Sequence, residues 1–211
     1  MSHLLVVSIV ASLLSLPLSA GESLVVFLGS TNESPGVRQY LQVELSRLLE
    51  PAGLPVNLKT PSEQRLGEDF SKLVVAKLHG NCVAEPLAGT ATSLFEPRSL
   101  ASTAISDGAI LPFATVECDN LRRALSPALL AAKKSFREEM FGRAVGRVLA
   151  HEIYHMLVQT RQHRGEGISK SCFSLADLAA PNFAFDTVTL AQLKPTPKEI
   201  DNLEAEGESG R

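Results

Sequence analysis

Between Gly142 and Ile168 the chain reads GRAVGRVLAHEIYHMLVQTRQHRGEGI, and this stretch constrains the fold more than any other. Phe141, Val145, Val148 and Leu149 recur at helical spacing, with Arg143 and Arg147 on another face. The helix then runs into His151-Glu152-Ile153-Tyr154-His155, an H-E-x-x-H pentapeptide. Residues four apart on a helix share a face, so His151 and His155 can aim their imidazoles at one point. That geometry suits a zinc ion, which sits about 2.0–2.1 Å from each histidine nitrogen. Glu152 flanks the point without competing as a ligand, and can serve as general base toward a zinc-bound water.

A catalytic zinc takes three protein ligands and keeps one position open. His163, eight residues beyond His155, is the expected third ligand. Continued as helix, the chain would carry His163 more than about 10 Å further along the axis. The ligand role therefore requires the helix to end near Thr160 or Arg161, and Arg164-Gly165-Glu166-Gly167 supplies the residues for a return. Glu166 and Asp177 are the next candidates if His163 stays away. Tyr154 is expected to pack against the sheet, with an oxyanion-donor role as the weaker alternative. His79, at the end of a strand-like run before Gly80, is expected to serve a turn or surface role.

The rest of the chain reads as a frame for this helix. Ser23–Leu28, Pro55–Lys59 and Lys72–Leu78 have strand character, and Val37–Leu49 is an amphipathic helix stopped by Pro51 and Gly53. Ser99–Ile105 and Ala109–Glu117 flank Ser106-Asp107-Gly108, where Asp-Gly between apolar runs predicts a hairpin. Pro112 inside the second run predicts that this strand is at an edge or bulged. Leu121–Leu125 and Pro127–Lys134 read as two helical pieces, the second starting at Ser126-Pro127, and the long helix follows from about Ser135 to Thr160. Gly142 and Gly146, one turn apart on it, each cost about 1 kcal/mol relative to Ala, which predicts close packing of the helix against the sheet. The expected class is α/β, a mixed sheet with an antiparallel edge hairpin packed on helices.

Composition and the termini bound the function. With 211 residues, 45% hydrophobic and 20% charged, the chain has enough for one globular domain, expected over residues 21–193. A net charge of −3 and the lack of any basic run exclude an electrostatic case for nucleic acid. Residues 1–20, with apolar Leu4–Leu16 ahead of Pro17-Leu18-Ser19-Ala20, read as a signal peptide, so a secreted or periplasmic protein is expected, with no stable membrane association once that segment is removed. Residues 194–211 carry five acids against three bases and two prolines, the composition of a loose acidic tail. Export implies an oxidising compartment, and Cys82 with Cys118, each just past a strand, is the preferred disulfide. Cys172 is then a single thiol, expected to be a small buried hydrophobe.

At these residues, H-E-I-Y-H-x7-H-x3-G-I resembles small exported bacterial zinc-protease-like proteins related to the metzincins. The resemblance is most specific over Gly142–Ile168. It implies a metzincin-like zinc-protease domain, zinc on His151, His155 and His163, Glu152 as general base, and a peptide or protein substrate bound along an edge strand. Typical metzincins have H-E-x-x-H-x-x-G-x-x-H, whose glycine allows the turn. Here Val158 holds the glycine's place, two extra residues precede His163, and Ser169 follows Gly167-Ile168 where a methionine-containing turn would lie. The expected function is an exported zinc metallopeptidase. A zinc-binding peptide-capture module with little catalysis and a non-peptidase zinc hydrolase are the alternatives.

Overall fold

The computed structural model describes residues 23–30, 32–87 and 99–195. The expected signal peptide and most of the expected tail lie outside these residues. The described chain is an α/β domain with one mixed five-stranded sheet. In chain order the elements are β1 (Leu24–Ser30), α1 (Pro35–Leu49), β2 (Val56–Lys59), β3 (Lys72–His79), β4 (Ala101–Ser106) and β5 (Ala109–Glu117). Four helices follow: α2 (Cys118–Ala131), α3 (Lys134–Val158), α4 (Leu175–Ala179) and α5 (Thr187–Leu193). The strand order is β2-β1-β3-β5-β4; the first four run parallel and β4 pairs antiparallel with β5 at the edge.

Local chemistry accounts for these boundaries. Ser34 caps α1, its Oγ accepting from the Val37 N–H, and Pro35 opens the first turn where its missing N–H goes unneeded. Gly53, at φ 77°, reverses the chain after a short 3-10 turn at Glu50–Ala52. Asp107 and Gly108 both adopt positive φ, 50° and 84°, which makes the two-residue β4–β5 hairpin expected of Asp-Gly. Beyond the hairpin end the register breaks. Between Thr103 and Ile105 on β4, the partner on β5 changes from Ala114 to Ile110. Pro112 falls inside that bulge, in the part of β5 ahead of Phe113, where β3 pairing begins. Its missing N–H therefore breaks no central ladder, and the bulged reading of this strand holds.

One face of the sheet, through Leu24, Val26, Leu28, Val74, Ala76, Leu78, Ala114 and Val116, packs into the helical core. On the opposite face Lys77 and Phe113 are exposed. α3 is the central helix, and from Ala144 to Met156 every residue is buried. Arg147, placed on a separate face by its spacing, is one of these and is fully buried. Its guanidinium donates to Glu44 Oε1 at 2.7 Å and to the carbonyls of Asp177, Leu178 and Pro181, so it ties α1 and the α4 region to α3. A buried charge is tolerable on these terms because each guanidinium nitrogen finds an acceptor, one of them the Glu44 carboxylate.

Three expectations are corrected. Gly142 and Gly146 pack against α1, not the sheet: a Cβ at Gly142 would lie 2.6 Å from the Val37 carbonyl oxygen and 2.7 Å from Tyr40 Cβ. α2 is one helix running through Pro127, with no new start at Ser126. Leu121, Leu125 and Leu129 lie on one buried face of α2, and their burial outweighs the loss of one hydrogen bond at the proline. Cys172 is exposed, not buried. Cys82 and Cys118 form the expected disulfide, fastening the chain after β3 to the start of α2. Among the described residues no helix is long and apolar enough to cross a membrane.

Candidate metal centre

The last two turns of α3 carry His151, Glu152 and His155 into a buried corner. The helix then stops. Gln159 takes the left-handed conformation, φ 52° and ψ 45°, and the Thr160 N–H closes back on the His155 carbonyl at 3.2 Å. A left-handed residue followed by such a bond is the usual way to end a helix, although glycine is its usual occupant. The Gln159 amide group donates to the Met156 carbonyl at 2.6 Å, adding a side-chain bond to the turn. The reversal thus comes one residue after the position where a metzincin pattern has its glycine.

The turn brings His163 back. Its ring centroid lies 5.2 Å from that of His151 and 4.9 Å from that of His155, and the two helical rings are 4.7 Å apart. One ring nitrogen from each of the three histidines lies within 4.8 Å of the others, close enough to share a metal ion. Tyr154 holds this return: its ring is buried beside Phe185, and its hydroxyl donates to the Gln162 carbonyl at 3.2 Å, next to His163. The hydroxyl is thus tied to the residue next to His163.

The hydrogen bonds of the helical pair decide which nitrogens face inward. His151 Nδ1 lies 2.7 Å from the Ile168 carbonyl oxygen, and His155 Nδ1 lies 2.7 Å from that of Thr160. A carbonyl only accepts, so each Nδ1 carries the proton and each Nε2 presents a lone pair. The two Nε2 atoms sit 3.0 Å apart. Two lone pairs at that distance repel unless a cation lies between them. A proton on His151 is a poor candidate, because burial, with smaller contributions from His155 and His163, pushes its pKa down to about 4 against the opposing pull of the Ile168 carbonyl. His163, more exposed, is also lowered, mainly by desolvation.

The carbonyl that orients His151 is itself held in place. The Ile168 N–H donates to the Ala184 carbonyl at 3.1 Å, and Gly167 approaches that segment so closely that a Cβ would meet the same oxygen at 2.7 Å. Ser169, fully buried, lies 3.0 Å from the Thr189 hydroxyl and donates to Asp186 at 3.4 Å. Phe173 stands edge-on to His151 at 5.6 Å. Among the described residues no methionine bonds this segment.

Glu152 is 7% exposed, and burial raises its pKa above the usual carboxylate range. Thr103 on β4 donates to its Oε2 at 2.5 Å. That contact had no signal in the sequence, since it joins an edge strand to a helix 49 residues away. The substitute ligands stay apart from the histidines: Asp177 caps α4 through Ser174 and pairs with Lys170 at 2.5 Å. Neither it nor Glu166 belongs to the converging group. His79 sits on the exposed sheet face and bonds Glu117 at 2.8 Å, in line with a surface role. Comparison of the chain with protein-family models, with curated proteins and with solved structures finds no match.

Proposed function

We propose that this chain is an exported zinc metallopeptidase of metzincin-like type, with zinc on His151, His155 and His163 and Glu152 as general base. One observation carries the reading: the three imidazoles converge while both helical Nδ1 protons are already committed to carbonyls. Three converging imidazoles match the donor set of catalytic zinc, and carbonyl partners behind the ligands are what such sites use to fix the tautomer. When bound, the ion would supply Lewis acidity, lowering the pKa of water and polarising a substrate carbonyl. The remaining steps belong to the protein. Glu152 takes a proton from the attacking water and later gives it to the departing amine, and its burial favours holding the proton between the two transfers.

β4 supports a peptide as the substrate. It ends the sheet, and among the described strands only β5 pairs with it, so an extended peptide can add along its free edge. The Cys82–Cys118 disulfide supports an oxidising compartment and so export.

The test is metal analysis and peptide hydrolysis on purified protein. Wild type is expected to hold one zinc per chain, His163→Ala to lose most of it, and Glu152→Gln to keep the zinc while hydrolysis falls at least about a hundredfold. Wild type without stoichiometric zinc would overturn the metal site. Undiminished hydrolysis by Glu152→Gln would overturn the general base, and zinc without cleavage of any peptide would favour a peptide-capture or non-peptidase role.

A further inference from the structure

Thr103 reaches the site from an element that carries no ligand. Its register partner on β5, Ala114, is in the core, so both residues turn toward the helical side of the sheet. There its Oγ1 donates to Oε2 of Glu152 at 2.5 Å. A hydroxyl bonded to a carboxylate forms a strong, short hydrogen bond. Threonine in a strand also has a stiff χ1, so the direction of this donor is set by the strand backbone.

We propose that Thr103 is a positioning residue for Glu152, fixing the rotation of the carboxylate so that Oε1 carries the proton transfers. The proposal rests on the peptidase reading above. It also makes β4 mechanically relevant to the chemistry. The register breaks immediately after Thr103, between it and Ile105, so the donor sits where the edge strand is least constrained by β5. A peptide pairing along β4 would steady that segment, and with it the base.

Two measurements test this, one independent of activity. In the metal-free protein, Thr103→Val is expected to lower the urea midpoint in the wild-type background and to leave it unchanged in a Glu152→Ala background, because the bond it removes is then already gone. In zinc-loaded protein, Thr103→Val is expected to lower kcat about tenfold with KM within about twofold and zinc content unchanged, and Thr103→Ser to restore kcat. Equal midpoint shifts in the two backgrounds would overturn the contact. Wild-type kcat in Thr103→Val, or a Thr103→Ser variant as impaired as Thr103→Val, would overturn the positioning role. If zinc-loaded wild type cleaves no peptide, the peptidase reading fails on its own, and the metal-free cycle still decides whether Thr103 holds Glu152.

Discussion

Tyr154 lies between His151 and His155 in sequence, yet its hydroxyl bonds the segment that carries His163, through the Gln162 carbonyl at 3.2 Å. Tyr154→Phe keeps the packed ring and removes only that bond. Second-sphere contacts of this kind are worth about ten- to a hundredfold in metal affinity, so zinc affinity is expected to fall at least about tenfold with little change in the unfolding midpoint. Chelator competition measures it, and wild-type affinity in the variant would show that His163 is held by other means. The residues of this site were unequally legible in the sequence. His151 and His155 follow from helical periodicity alone. His163 depends on Gln159 adopting a left-handed conformation that glutamine seldom takes, and nothing local announces it. Thr103 was invisible, because a contact across 49 residues is made by the fold and not by spacing.

Among the elements, α1 and α3 pack closely. Gly142 and Gly146 face α1, so helix backbone meets helix backbone where any larger residue would stand. Gly142→Ala should gain about 1 kcal/mol in helix propensity and lose more to overlap, since overpacking costs about 1–3 kcal/mol. The expected net result is a lower urea midpoint; a raised midpoint would show that α1 can retreat. The Asp107-Gly108 hairpin was legible because its turn needs two positive φ values that few residue pairs supply. α2 was not. A Ser-Pro pair favours a helix start locally, and only the burial of Leu121, Leu125 and Leu129 on one face shows why the helix continues through it. The surroundings of Arg147 were equally silent in the sequence: its spacing placed it on a separate face, and only the fold closes Glu44 and three carbonyls around it.

For the whole molecule, the site makes the metal-free fold acid-sensitive. His151 titrates near 4 when folded and at its ordinary 6.5 when unfolded, so between these values the unfolded chain binds the proton and the folded chain does not. Its contribution is fully present above about 6.5 and is lost as pH falls toward about 4. The loss amounts to about 3 kcal/mol at most. Glu152 acts oppositely, since burial raises its pKa and protonation relieves the fold. Urea midpoints of metal-free Glu152→Gln protein between pH 7 and 4.5 isolate the histidine contribution, and are expected to fall steadily with acidification. A flat profile would show that His151 is not desolvated. Glu44, Asp177 and Asp186, held below the ordinary carboxylate range, add their own losses only at lower pH.

The Cys82–Cys118 link has a topological consequence. With a sequence separation of 36, it closes a covalent ring that contains both strands of the edge hairpin. Thr103 and the free edge of β4 therefore lie inside the ring, while all three histidines and Glu152 lie outside it on the C-terminal side. A single backbone cut within the ring leaves one covalently connected molecule, with the β1–β3 part still joined to α3. A nick anywhere in the edge hairpin, including along the free edge of β4, thus does not separate the chain.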